Sequence, residues 1–224
     1  MKILVTGLTG LIGSRFQELL ENGYEFEEIT SSSGTDILNK KAVLNKISSS
    51  EAKVVLHLAA KTNVDVCEKD KERDREIIDF VKTEDKENAF INEKTAYGVN
   101  VFGTQNIVDA CKKTEKKIIF ISTDFVFNGQ KKSYTEEDEP DPIGWYAKTK
   151  YEAEKVVKNS NLDFIIARTA YPYRAYFERT DFVRTIITKL ERNEQLKMIT
   201  DHVFVPTFID EIVNSKEVDE NKYG

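Results

Sequence analysis

The chain has 224 residues, a formal net charge of -6 and 40% hydrophobic residues. This length and composition fit a globular domain with a sizeable core, and the acidic balance argues against nucleic acid as the main partner. No apolar run approaches the roughly 20 residues that cross a bilayer, so we expect a cytoplasmic protein without membrane contact. The chain has two cysteines, Cys67 and Cys111, and two histidines, His57 and His202. All four are isolated in sequence, which favours neither a disulfide nor a metal site.

A short apolar strand followed at once by a glycine-rich turn opens the chain. The strand covers residues 2–6, and the turn places glycines at 7, 10 and 13. This spacing lets the backbone turn sharply, lets a pyrophosphate approach the amides and lets the next helix pack on the strand. The helix start adds unpaired N–H groups and a partial positive charge. The stretch predicts dinucleotide binding by Gly7, Thr9, Gly10, Leu11, Ile12 and Gly13.

The end of the second predicted strand, residues 24–30, bears on the choice of cofactor. NAD-preferring enzymes usually place an acid there against the ribose hydroxyls, whereas this chain has Thr30 and three serines. These hydroxyls could hydrogen-bond a 2′-phosphate, with Arg15 as a nearby cation, so NADP(H) is favoured and NAD(H) stays open. Glu28 is the alternative acid. The remaining contacts expected at this end are Ser31, Asp36 and Ile37, with a stub of third strand at 35–37.

Apolar strands and amphipathic helices alternate along the rest of the chain. This order predicts an α/β fold with a doubly wound, mainly parallel Rossmann-type sheet. The small residues after the strand at 53–58 let a cofactor lie against it, through Leu58, Ala59, Ala60 and Thr62. His57 is expected to be a satisfied core residue. Further strands are predicted at 117–121 and 162–167, and helices at 14–22, 40–49, 95–113 and 181–192.

A charge-dense segment, residues 68–93, interrupts this alternation. It contains a thin apolar stripe that includes Ile77, Ile78 and Phe80. The pattern predicts an inserted surface helix or lid beside the cleft. Its deletion is expected to leave a folded protein.

The segment 144–150 places a phenol and an ammonium four residues apart. Tyr146 and Lys150 therefore share one face of a predicted helix. A lysine this close favours the ionised phenol, which lowers the tyrosine pKa and suits proton transfer near neutral pH. The spacing is common by chance, so its interpretation depends on the glycine-rich turn. Together the two motifs indicate a dinucleotide-dependent enzyme.

Nine residues of the motifs described above, with a few between them, follow one another in a characteristic order: Gly7, Gly10, Gly13, Ala59, Ala60, Asn100, Thr123, Tyr146 and Lys150. In this order the chain resembles the extended short-chain dehydrogenase/reductase family. Three segments are most similar to its dTDP-4-dehydrorhamnose reductase branch, the RmlD-like substrate-binding group: 59–68, 122–129 and 206–207. The same pattern occurs in the regulatory β subunit of methionine adenosyltransferase and in some nucleotide-sugar epimerases. Phe125 departs from the tyrosine that is frequent at its position.

The resemblance implies an oxidoreductase that reduces the 4-keto group of a nucleotide-linked deoxysugar, as in dTDP-rhamnose biosynthesis. Tyr146 would protonate the carbonyl oxygen, Lys150 would hold the nicotinamide ribose, and Thr123 would hydrogen-bond the reacting oxygen. Asn100 would position a water that relays protons. The substrate contacts that it implies are Thr123, Asp124, Phe125, Tyr146 and Tyr171.

Two other functions stay open at this point. An epimerase or dehydratase would keep its NAD bound, although Asp124 supplies only half of the acidic pattern usual in dehydratases. A cofactor-binding regulatory subunit would perform no turnover. The presence of Thr123, Tyr146 and Lys150 counts mildly against this alternative, because a binding module has no need of a proton donor.

The expected organisation is an NAD(P)-binding Rossmann domain at 1–168, including the charged insertion, and a partial substrate-binding lobe at 169–224. Relatives continue past the position of Gly224 into a cap over the substrate. We therefore expect strong cofactor binding with weak turnover. An uncovered apolar edge would also favour a homodimer.

Overall fold

Five parallel strands form one sheet in the computed structural model, which describes residues 1–198 and 203–214. Their order across the sheet is β2-β1-β3-β4-β5, and every neighbouring pair is parallel. The predicted Rossmann-type α/β fold is thereby confirmed. The strands are β1 (Lys2–Thr6), β2 (Glu25–Ile29), β3 (Val54–His57), β4 (Lys117–Thr123) and β5 (Phe164–Thr169).

Eight α-helices accompany these strands within the described residues. They are α1 (Leu11–Leu20), α2 (Lys40–Ser49), α3 (Val64–Phe80), α4 (Thr83–Glu93), α5 (Gly103–Thr114), α6 (Trp145–Lys158), α7 (Phe182–Glu191) and α8 (Ile209–Asn214). The predicted helix at 95–113 begins instead with a π-helical turn, Gly98–Phe102, which leads into α5. The predicted strand at 35–37 is wrong, because these residues lie in the irregular connection between a short 3-10 helix, Ser31–Ser33, and α2.

The central strands β1, β3 and β4 are buried on both faces of the sheet, because successive side chains of a strand point to opposite sides. In β1, Leu4 packs into the larger core cluster, beneath α2, α5 and α6. Ile3 and Val5 pack into the other cluster, together with Phe16 of α1. This two-sided burial accounts for the continuous apolar runs that marked the strands in the sequence.

The chain leaves β1 toward β2 on one side and later returns to place β3 on the other. Ligands of open α/β sheets bind at such a switch point, at the carboxyl ends of the strands. Gly7 follows β1 with a φ of 72°, and a Cβ there would lie 2.9 Å from the Ala59 nitrogen. A Cβ on Gly13 would lie 2.5 Å from the Gly7 oxygen. Both glycines are therefore required by close backbone packing.

His57 is a core residue, as predicted. Its ring is 1% exposed, with Nδ1 2.6 Å from the Thr6 hydroxyl and Nε2 2.9 Å from the Thr104 hydroxyl. Burial, followed by the charge of Lys150, lowers its pKa to about 3. The ring is therefore neutral and fixes β1, β3 and α5 together.

The charged segment at 68–93 is helical, as predicted, but it is more than a surface excursion. It forms most of α3 and α4, and Ile77 and Phe90 are 0% and 1% exposed. Asp74 of α3 is buried, and its Oδ2 accepts hydrogen bonds from the Trp145 indole at 2.7 Å and the Tyr97 backbone at 3.0 Å. The segment therefore contributes Ile77 and Phe90 to the core, and we now expect its deletion to destabilise the fold.

Truncating Ile77 should destabilise the protein strongly. We expect Ile77→Ala to lower the free energy of unfolding by about 2–5 kcal/mol, because it leaves a cavity in the core cluster that Ile77 forms with Leu38 and Phe90. Phe80→Ala is the matched control, since Phe80 ends the same helix and is 83% exposed; we expect it to change stability by less than about 0.5 kcal/mol. Urea unfolding of the three proteins decides, and equal midpoints for both variants would contradict the assignment of Ile77 to the core.

The described part of the chain contains no helix long and apolar enough to cross a membrane. The last described helix returns to the start of the fold, where α8 packs on α1. An isolated parallel bridge between Tyr173 and Phe208 joins the segment after β5 to the start of α8. His202 lies outside the described residues.

Candidate active site

A cavity of about 890 Å³ runs along the carboxyl edge of the sheet. At its middle lie the glycine turn and the loop after β3. One end is bordered by the residues that follow β2, and the other by the end of β4, the start of α6 and residues from 169 to 182. The cavity thus joins the glycine turn to Tyr146 and Lys150, which lie more than 130 positions further along the chain.

Most of the predicted site residues line this one cavity. Arg15 and Asn100 are absent from the described lining residues. The predicted residues that do line it are Gly7, Thr9, Gly10, Leu11, Ile12, Gly13, Ser31, Asp36, Ile37, Leu58, Ala59, Ala60, Thr62, Thr123, Asp124, Phe125, Tyr146, Lys150 and Tyr171.

The glycine turn offers the cavity a helix N-terminus. Gly10 is the cap position of α1, and its own N–H donates to the Gly7 carbonyl at 3.0 Å. Because glycine has no side chain, the first amides of α1 stay accessible to an anion. The close backbone packing at Gly7 and Gly13 keeps the turn tight, and the accessible amides of α1 suit a pyrophosphate.

Thr123 and Tyr146 meet at the far end of the cavity. Thr123 is the last residue of β4, and its hydroxyl accepts a hydrogen bond from the Phe125 backbone and donates to Asp124, both at 3.2 Å. Tyr146 lies in the first turn of α6. The Phe125 ring stands edge-on to the Tyr146 ring, with centroids 6.2 Å apart.

The pKa of Tyr146 moves opposite to the sequence-based prediction. Burial of the phenol raises its pKa to about 12, and the Thr123 hydroxyl lowers it by less. Lys150 was expected to favour the ionised phenol, but its ammonium donates instead to the Ile121 carbonyl at 2.7 Å. Desolvation therefore exceeds the attraction that a neighbouring charge supplies. At neutral pH the phenol keeps its proton, so it is a donor in the ligand-free protein.

Lys150 is held inside the protein without a carboxylate hydrogen bonded to it in the described structure. It is 3% exposed, and its nitrogen lies 4.0 Å from the centroid of the Phe120 ring. Burial lowers its pKa to about 7, while the charge of Glu154 opposes this. Glu154 itself accepts two hydrogen bonds from Arg168, at 2.9 and 2.7 Å.

Asn100 acts on the protein scaffold instead of on the cavity. It is 1% exposed, within the π-helical turn. Its Oδ1 accepts from the Lys61 backbone at 2.7 Å, and its amide nitrogen donates to the Lys61 carbonyl and the Thr149 hydroxyl. These bonds fix the loop after β3 against α6, so the structure does not place Asn100 where it would hold a relay water beside Lys150.

Arg15 lies away from the end of β2. Its guanidinium forms a bidentate pair with Asp210 of α8 and a further bond to Glu18 at 2.8 Å. Glu28 lies within β2, paired with Val5, and outside the cavity lining. An acid nevertheless reaches this end, because Ser31 donates to the Asp36 carboxylate at 3.0 Å. Asp36, a contact that the sequence predicted at this end, therefore supplies the acid that the residues directly after β2 lack.

Aromatic rings form the wall beyond Thr123. Tyr171, which adopts a φ of 41°, stands 5.7 Å from Phe125 and 4.7 Å from Phe182 between ring centroids. A positive φ is uncommon for a bulky residue and often marks a functional site. Sequence reasoning missed Phe182, Arg179 and Lys94 among the lining residues. Phe182 had a visible signal, as the first apolar residue of the predicted helix at 181–192.

A glycine turn at the switch point of a parallel sheet, joined by one cavity to a threonine, a tyrosine and a lysine, defines a Rossmann-type protein of the short-chain dehydrogenase/reductase class. The family model described as RmlD substrate binding domain matches residues 1–85 and 82–216. The chain belongs to that family.

Comparisons with individual proteins agree with this assignment. The dTDP-4-dehydrorhamnose reductase of Aggregatibacter actinomycetemcomitans is 28% identical over 215 residues, covering 95% of this chain and 65% of the relative. A crystal structure of a dTDP-4-dehydrorhamnose reductase ortholog from Clostridium acetobutylicum is 32% identical, with a TM-score of 0.79 and coverage of 100% of this chain and 72% of the other. The Bacillus anthracis reductase, solved in complex with NADP, gives 28% identity and a TM-score of 0.78, covering 95% and 67%.

Proposed function

We propose that this protein is an NADP(H)-dependent oxidoreductase that reduces the 4-keto group of a nucleotide-linked deoxysugar. The observation that carries the proposal is the shared cavity, in which Thr123, Tyr146 and Lys150 lie at one end and the glycine turn lies at the middle. The chain spans 65% of the length of its Aggregatibacter relative. Substrate and activity are therefore taken from the site chemistry together with the names of the relatives.

Each residue at this end has a chemical task in carbonyl reduction. When bound in the cavity, NADPH would supply the hydride. Tyr146 holds a proton on its phenol oxygen and gives it to the carbonyl oxygen, while the Thr123 hydroxyl fixes that oxygen by a hydrogen bond. The ammonium of Lys150, which donates to the Ile121 carbonyl in this structure, would hold the ribose hydroxyls of the bound cofactor. The aromatic wall of Phe125, Tyr171 and Phe182 excludes water from the reacting carbon.

The residues of the cavity suit a dinucleotide along its whole length. The first amides of α1 would hold the pyrophosphate. The small side chains of Ala59 and Ala60 leave room for the dinucleotide beside the end of β3. The hydroxyls of Thr30 and Ser31 border the end that follows β2, where a 2′-phosphate would lie. The NADP complex of the Bacillus anthracis neighbour supports the same choice.

One assay tests the proposal. The protein is mixed with NADPH or NADH and a panel of 4-keto nucleotide sugars, and absorbance is followed at the nicotinamide band. We expect consumption of reduced cofactor that depends on the sugar and is faster with NADPH. Isomerised sugar without net consumption would indicate an epimerase instead, and cofactor binding without turnover on any sugar would indicate a regulatory subunit.

Two coarser features belong to the same proposal. We assign residues 1–168 to the NAD(P)-binding domain and 169–224 to the substrate lobe, and we expect a homodimer. Sedimentation velocity at several concentrations checks the assembly independently of turnover.

A further inference from the structure

Three cationic side chains stand among the described residues that line the cavity: Lys94, Lys150 and Arg179. Lys150 belongs to the reacting end, where it donates to the Ile121 carbonyl. Arg179 lies on the segment after β5, with its guanidinium 5.6 Å from the centroid of the Phe177 ring. Lys94 is the cation at the end that follows β2, where the sequence had suggested Arg15.

The position of Lys94 is fixed by its backbone. It ends α4 in the left-handed conformation with a φ of 48°, and its N–H donates to the carbonyl of the buried Phe90 at 2.9 Å. Its own carbonyl accepts from the Lys61 ammonium at 3.0 Å. The side chain is half-exposed, but these hydrogen bonds fix the backbone from which it extends beside the cavity.

The ammonium of Lys94 and the hydroxyl of Ser31 meet at the same carboxylate oxygen. Both donate to Oδ2 of Asp36, at 2.9 and 3.0 Å. Oδ1 of Asp36 accepts from the backbone N–H of Leu38 at 3.0 Å, which holds the carboxylate in place. Burial opposes ionisation of Asp36, but these hydrogen bonds together hold its pKa below the usual value. Asp36 is therefore a carboxylate at neutral pH.

An ionised acid at this place has a predictable effect on cofactor choice. It accepts hydrogen bonds from free ribose hydroxyls and repels a 2′-phosphate, which favours NAD(H). A lysine paired with it offsets the negative charge. The same ammonium has three donors, so it can bond a phosphate oxygen while keeping its contact with Asp36.

We propose that Lys94 determines the preference for NADP(H), by offsetting the charge of Asp36 and by donating to the 2′-phosphate. This inference rests on the proposed function, since it assumes that a dinucleotide occupies the cavity. It gives the charged segment at 68–93 a positioning role, because α4 of that segment ends at Lys94 and holds its backbone in place. The specificity of the β2 end is thus supplied by a residue more than 60 positions further along the chain.

Fluorescence titration of NADPH and NADH against wild-type protein and Lys94→Ala tests this inference. We expect the variant to bind NADPH at least about tenfold more weakly, the equivalent of one charge-assisted hydrogen bond. NADH affinity should stay unchanged or increase. Lys82→Ala is the matched control, because Lys82 precedes the same helix, is exposed and removes the same charge outside the cavity lining; its affinities should equal those of the wild type.

A second variant separates the contribution of Asp36. In Lys94→Ala/Asp36→Asn the repulsive charge is gone, so NADPH affinity should recover in part; no recovery would overturn the part assigned to Asp36. Equal weakening of NADPH and NADH by Lys94→Ala, or no weakening of either, would overturn the selectivity role while leaving the oxidoreductase proposal intact. Failure of the wild type to bind either cofactor would overturn both.

Discussion

Tyr146→Phe should remove turnover and spare the cofactor. We expect the rate of sugar reduction to fall by about 10²–10⁴-fold, the contribution typical of a positioned proton donor. The phenol oxygen is lost, while the ring keeps its edge-on contact with Phe125. Because the amides of α1 and the ammonium of Lys150 remain, the affinity for NADPH should change by no more than roughly twofold. Steady-state kinetics and fluorescence titration measure the two quantities separately.

Tyr151→Phe is the matched control for this prediction. Tyr151 lies on the same helix, under the ammonium of Lys155 at 4.5 Å from the ring centroid, and outside the cavity lining. Its variant should reduce the sugar at the wild-type rate. Full activity of Tyr146→Phe would remove the proton-transfer role, and equal loss in both variants would point to damage of α6 instead.

Local patterns in the sequence were sufficient to predict the sheet, the glycine turn at the middle of the site and the reacting end of the site. The strand before Gly7 and the glycine spacing belong to one short segment, as does the pair formed by Tyr146 and Lys150. Each of these features is fixed by contacts within a few residues of the chain. The cavity that joins them follows from the switch point of the sheet.

Features that depend on distant pairs could not be predicted in this way. Arg15 meets Asp210, 195 positions away, so its availability to a phosphate is decided by α8. Lys94 reaches Asp36 across 58 positions. The burial of Ile77 depends on how α3 packs, and charge density in the sequence concealed it. Tertiary packing therefore determines which cation lines the cavity and which apolar side chains of the charged segment are buried.

The pKa of Tyr146 shows the same limit at close range. The spacing of Tyr146 and Lys150 correctly placed both residues at one end of the cavity. It carried no information on burial, which raises the pKa of the phenol and lowers that of the ammonium. Desolvation disfavours the charged form of each group, so two buried neighbours both move toward neutrality.

Replacing Lys150 by methionine should make the ligand-free protein more stable. A fall in the pKa of Lys150 from 10.5 to about 7 lowers the free energy of unfolding at pH 7 by roughly 4 kcal/mol, because the unfolded chain holds the proton more tightly. Methionine fills a similar volume without a charge to desolvate. It cannot hold the ribose, so Lys150→Met should lose both NADPH affinity and turnover.

The pH dependence of this difference supplies the decisive measurement. Between pH 7 and pH 10.5 the unfolded chain binds one more proton at Lys150 than the folded protein does, so this residue makes wild-type stability rise with pH across that window. Lys150→Met lacks this contribution but retains the other titrating groups, including Tyr146 and the buried cysteines. The stability advantage of the variant should therefore be largest near pH 7 and shrink as the pH approaches 10. Urea unfolding of both proteins at several pH values measures it, and a difference that does not change with pH would mean that Lys150 keeps an ordinary pKa in the folded protein.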